Sequence, residues 1–158
     1  MSSLPNIHPL LVHFPLALSL TAFGFDVACV LWRRRWLDSA ALALYVVAAM
    51  SGVVTAVSGK LAFEGFESLS SEATTIAGEH SDWAFASIVL LALVCVLRWE
   101  AFWRDRNETI VRRHRVRWIA LALGLVVQGT LYETAEHGGE LVYRHGVGVT
   151  APRSAPPD

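Results

Sequence analysis

At 158 residues the chain is long enough for one domain, and 54% of it is hydrophobic while only 17% is charged, against roughly 25% charged in a soluble domain. With a mean hydropathy of +0.44, this composition argues against an ordinary water-solvated surface, and a soluble protein with wholly buried helices fits it poorly. The formal net charge of −1 says little by itself; the distribution of charge along the chain says more.

A short polar lead covers residues 1–8, and Pro9 and Pro15 bracket the start of the first apolar span. Proline suits a first helical turn, where its missing N–H has no partner to lose. The span therefore begins at Pro9 and kinks at Pro15, or begins near Pro15. It runs from about Phe14 to Trp32 and ends at Arg33, Arg34 and Arg35. A second span follows Asp38, from Ser39 to Gly59. Its small residues, among them Ala48, Ser51, Gly52 and Thr55, admit close approach of another helix.

The Lys60–Glu79 segment is acidic (Glu64, Glu67, Glu72, Glu79) and carries Phe63, Phe66 and Leu69 at three-residue spacing. That spacing fits a short interfacial helix or a plain linker. A third span, Trp83 to Leu97, extends to about Trp103, with Asn107 in the turn, and a fourth runs from Trp118 to Tyr132. Each approaches the roughly 20 residues that cross a hydrocarbon core about 30 Å thick. The expected architecture is all-α: one transmembrane four-helix bundle over residues 1–150. A disordered tail over 151–158 follows from its three prolines and lack of apolar pattern.

Ten of the thirteen basic residues fall in two segments, Arg33–Arg35 and Arg98–Arg117. The positive-inside rule places both in the cytoplasm, which puts the N- and C-termini on the outer, periplasmic side of a bacterial inner membrane. Trp32, Trp36, Trp99, Trp103 and Trp118 flank the arginines, as an interfacial aromatic belt does. The arginines serve as anchors to anionic lipid, and no nucleic-acid partner is expected. Arginines that follow the first apolar run, rather than precede it, mark an uncleaved anchor instead of a signal peptide. Cys29 and Cys95 lie near the cytoplasmic ends of their spans and read as reduced packing residues.

Five of the six histidines (His8, His13, His80, His137 and His145) fall at the outer ends of the spans; His114 lies at the other. Counting helical rise from the arginine borders sets His13 about 30 Å, His80 about 27 Å and His137 about 30 Å above them. Three helices thus bring imidazoles to one layer. The two halves also look alike: His13 precedes Cys29 by 16 residues and His80 precedes Cys95 by 15, which hints at two parallel helical hairpins.

Imidazole is the usual axial ligand of haem iron and the commonest metal ligand, and four-helix bundles hold such sites between facing helices. No CxxCH attachment motif occurs, so the haem expected is noncovalent haem b. His13 and His80 are the first candidate axial ligands, followed by His137 and His8. Arg144, His145 and Tyr143 are candidate partners of haem propionates. The same four histidines, with Glu133, Glu136 or Glu140, also suit a zinc or copper ion. A histidine at a membrane interface is otherwise simply a solvated polar residue, which is the plainer reading of His145 and His114. Asp26, an acid within the first span, is a structural acid or a proton relay. No Ser-His-Asp set, P-loop or dinucleotide fingerprint occurs in a suitable context.

The opening HPLLVHFPLAL (His8–Leu18) and closing HGGELVYRHGVGV (His137–Val149) resemble a bacterial family of four-span membrane proteins known as a domain of unknown function. The Gly78-Glu79-His80 triplet sits where that family has a histidine before its third span. The resemblance implies weight on His8, His13, Pro15, His80, Gly138, Gly139, Glu140, Tyr143, His145 and Gly146. It also implies links to Rieske-type iron–sulfur and c-type cytochrome domains, which favours haem. One departure is Glu136 beside His137, where many relatives have Gly-His-Leu-Gly-Gly. The expected function is thus an integral membrane b-type cytochrome passing electrons near the periplasmic face, with a quinone or an external redox protein as partner. The alternatives are a histidine-based zinc or copper protein, and a non-catalytic assembly subunit that meets partner helices or a second copy.

Overall fold

The computed structural model describes residues 7–32, 34–65, 69–104 and 110–149, with the side chains of 104 and 110–114 excepted. The expectations for Phe66, for the side chain of His114 and for the 151–158 tail fall outside the described residues. Among the described residues five helices follow in order: α1 (His8–Leu11), α2 (His13–Trp32), α3 (Arg35–Glu64), α4 (Ser71–Arg104) and α5 (Ile110–Tyr143). Among the described residues there is no strand. Four helical stretches, His8–Trp32, Arg35–Glu64, Ser71–Trp103 and Arg115–Tyr143, are long and apolar enough to cross a membrane.

The first stretch starts at His8 with Pro9 in its first turn and breaks at Val12. Pro15 causes the break. It has no N–H for the carbonyl of Leu11, four residues earlier, and Thr55 of α3 donates its hydroxyl to that carbonyl instead, at 3.2 Å. Acids in the first turns of α3 (Asp38) and α4 (Glu72) complement the helix dipoles, and the Ser70 hydroxyl accepts the Ala73 N–H as a helix cap does. α5 stops at Gly146, whose φ of 63° is a conformation that glycine adopts without steric cost. There the Gly146 and Val147 amides close back onto Val142 and Leu141. The Lys60–Glu79 segment forms no separate interfacial helix among the described residues. α3 carries Phe63 out to Glu64, and α4 begins at Ser71.

The helices run antiparallel in sequence. α2 pairs with α3 and α4 with α5, α3 packs on α4, and α2 approaches α5 more loosely. The core is Ala22, Tyr45, Ala48, Leu91, Val94, Val127 and Leu131. Many buried positions are small (Ser19, Ala22, Ala41, Ala48, Ala120), which is how helices approach closely where lipid offers no hydrophobic drive for association. Many large apolar side chains point outward: Leu20, Met50, Val54, Phe85, Val96 and Leu125 are all exposed. So are Trp32, Trp36, Trp99, Trp103 and Trp118, which ring one end.

The two hairpins repeat one register. Pro15, Ser19, Ala22 and Asp26 lie on the buried face of α2, which Cys29 continues, and Ser87, Leu91, Val94 and Arg98, each 72 positions after the first four, lie on that of α4. Ala41, Tyr45 and Ala48 of α3 correspond to Ala120, Gly124 and Val127 of α5, each 79 positions later. This register makes His8, not His13, the counterpart of His80.

Candidate functional site: a histidine pair at one end of the bundle

His8 and His80 come from diagonal helices and meet at the end of the bundle away from the tryptophan ring. Their ring centroids are 6.3 Å apart and their planes are perpendicular (87°). Each ring is held by a backbone carbonyl of the neighbouring helix. His8 Nδ1 lies 3.1 Å from the Thr55 carbonyl and 3.0 Å from the Ser58 hydroxyl, and His80 Nδ1 lies 2.8 Å from the Thr134 carbonyl. A carbonyl only accepts, so Nδ1 carries the proton in both rings. In the neutral imidazole the lone pair then belongs to Nε2. Metal-binding histidines are oriented by the same kind of bond.

Each ring also lies over a glycine. A Cβ on Gly59 would stand 2.8 Å from His8 Cε1, and one on Gly138 would stand 3.1 Å from His80 Cε1. The two seats are alike in sequence: Thr55-Ala-Val-Ser-Gly59 and Thr134-Ala-Glu-His-Gly138. Sequence reasoning overlooked Thr134, gave Thr55 and Gly59 only a part in helix packing, and gave Gly138 weight only through the family resemblance, although this repeated Thr-Ala-x-x-Gly pattern was the signal that could have found the seats.

The other candidates are placed differently. His13 is exposed on α2. Its expected height beside His80 depended on counting from Arg98 as a border residue, and Arg98 is instead buried inside the bundle. His137 is beside His80 in the layer but turned to other partners. Its Nδ1 donates to the Glu133 carbonyl at 2.7 Å and its Nε2 faces the Glu79 carboxylate at 3.3 Å. Both of its nitrogens are thereby engaged. Tyr143 is almost wholly exposed, and Arg144 is exposed and ion-paired with Glu140 on its own helix; His145 is half-buried beyond it. No described contact brings these three to the His8–His80 pair. Among the described residues no group of three or more His, Cys, Asp or Glu is gathered to hold a metal ion.

The opposite end carries an ion quartet, two of its members buried and two half-buried, with one member from each long helix. Arg98 (α4) pairs with Asp26 (α2), and these are only 5% and 3% exposed. Arg98 Nη1 also donates to Asp38 (α3) at 3.2 Å, and Arg117 Nη2 (α5) donates to the other Asp38 oxygen at 2.6 Å. Tyr45, wholly buried, sets its hydroxyl beside Asp26 and against Gly124. Asp26 is therefore ion-paired inside the bundle. Between the two ends Gln128 donates to the Ser19 hydroxyl at 2.9 Å, and Ser87 donates to Thr130 at 2.9 Å. Cys29 and Cys95 are free thiols.

A family model described as "Predicted membrane protein (DUF2231)" matches residues 4–151. The chain belongs to the DUF2231 family. It is a multi-pass membrane protein, and both histidine seats, the ion quartet and the Gly146 stop lie within the DUF2231 match. No curated protein and no solved structure matches the chain.

Proposed function

We propose that the chain is an integral membrane b-type cytochrome in which His8 and His80 would hold one haem. The observation that supports this reading is the facing pair. The imidazoles of His8 and His80 meet with ring centroids 6.3 Å apart, and imidazole is the usual protein ligand of haem iron. The fixed Nδ1 protons direct both lone pairs to Nε2, the nitrogen that would hold the iron. Bound haem would supply one-electron chemistry. The chain would supply the two ligands and their orientation.

Orientation follows from charge. Arg34, Arg35 and Arg115 are exposed at the quartet end, and the positive-inside rule turns that end to the cytoplasm. The histidine pair then faces the periplasm of a bacterial inner membrane. There it would exchange electrons with a quinone or an external redox protein.

Absorbance spectra of detergent-purified protein from haem-replete cells, oxidised and dithionite-reduced, test the proposal. A Soret band is expected that is lost in His8→Ala and in His80→Ala and retained in His13→Ala. Protein with no such band, and none after haem addition, removes the reading. Stoichiometric zinc or copper without iron, measured by elemental mass spectrometry, would replace it with a histidine-held ion.

A further inference from the structure

The repeated register of the two hairpins extends to their charges. Asp26 follows His8 by 18 residues and Arg98 follows His80 by 18; Asp38 precedes Thr55 by 17 and Arg117 precedes Thr134 by 17. Asp26 and Arg98 are therefore equivalent positions, and they pair with each other. Asp38 and Arg117 are equivalent as well, and they also pair. In both cases the first hairpin carries the acid and the second the base.

This arrangement constrains assembly. Two copies of the first hairpin packed this way would crowd four carboxylates together, and two copies of the second would crowd four guanidiniums. Only unlike hairpins neutralise the quartet, and a buried charge without its partner is heavily penalised. The quartet also sets the lengthwise position. A slide of one helical turn, about 5.4 Å, would part Arg98 from Asp26 and Asp38 and carry His80 past His8.

We infer that Asp26, Asp38, Arg98 and Arg117 are positioning residues, a charge lock that pairs one hairpin with its duplicate in the single register that sets His8 opposite His80. The lock acts from the far end of the bundle and does not depend on what the histidines hold.

Cross-linking in the full chain tests it without reference to any cofactor. Cys29 and Cys95 are replaced by alanine and His8 and His80 by cysteine, and bridging by a short bis-maleimide, whose spacer replaces the two rings, is followed in detergent by mass spectrometry as one reagent joining both thiols rather than two single adducts. The native quartet is expected to give efficient cross-linking. An uncharged quartet (D26N, D38N, R98Q, R117Q) is expected to keep its helical content by circular dichroism while its cross-linking rate falls at least fivefold. The full exchange (D26R, D38R, R98D, R117D), which restores the pairs with the hairpins' roles reversed, is expected to recover the native rate to within about twofold. Native-like cross-linking in the uncharged quartet would overturn the inference. So would an exchange variant that folds no better than R98D alone or fails to recover the rate. A cross-link that behaves as expected, when the chain that keeps both histidines shows no Soret band, would leave the lock standing while the haem reading falls.

Discussion

At Gly59 the backbone of α3 forms the floor under an imidazole. An added methyl group would stand 2.8 Å from Cε1, 3.2 Å from Nδ1 and 3.4 Å from Nε2 of His8, and van der Waals contact does not permit the first of these. Gly138 is the milder case, with 3.1 Å to His80 Cε1 and 3.3 Å to Nδ1. Gly129 on the same helix as Gly138 would meet nothing within 4 Å, so alanine there has only helix propensity to gain, up to about 1 kcal/mol. Spectra of histidine-labelled protein (¹H–¹⁵N) in micelles should therefore show the His8 Nδ1–H signal lost in Gly59→Ala. The His80 signal should be shifted but present in Gly138→Ala, and both should be unchanged in Gly129→Ala. A glycine under a ring differs from a packing glycine only by the ring above it, so sequence spacing alone assigned Gly59 to helix packing.

The first helix illustrates how an element is decided by its neighbour. Pro15 takes the N–H away from Leu11's carbonyl, and the Thr55 hydroxyl replaces it; the same threonine's carbonyl receives His8. The kink and the histidine seat thus share one residue of α3. Thr55→Val removes the hydroxyl and orphans a buried carbonyl, at a cost of about 1 kcal/mol. Pro15→Ala returns an N–H to that carbonyl, so the valine substitution should cost less than half as much in the alanine background. A double-mutant cycle of unfolding in mixed micelles measures the coupling, and additive effects would refute it. The two prolines were visible in the sequence, but two helix starts fit them equally, one at Pro9 and one near Pro15. Choosing between them required knowing that α3 supplies a donor at Thr55, 44 residues away along the chain. The same gap explains the histidine pairing. Arg98 looked like the other border arginines, and only its burial against Asp26 reveals that the height scale began one step too deep.

Four helices, their apolar lengths and their small buried residues follow from composition and periodicity, because a bilayer imposes those features on any chain that crosses it. The distribution of side chains over the whole molecule confirms the inside-out arrangement: the interior is small and partly polar, and the perimeter is large and apolar. Depth should then govern the cost of a charge on that perimeter. Met50 lies midway along α3 and is 65% exposed, while Tyr143 ends α5 and is 90% exposed. If water covered both, Met50→Lys and Tyr143→Lys would be tolerated alike. Where hydrocarbon covers the first, lysine there costs about 2.5–3.5 kcal/mol of insertion free energy. At Tyr143 the long side chain reaches the interface and costs little. Membrane-inserted yield in a fusion reporter should thus drop severalfold for Met50→Lys and stay near the parent level for Tyr143→Lys. Equal yields would mean that the exposed apolar perimeter is not the lipid-facing surface.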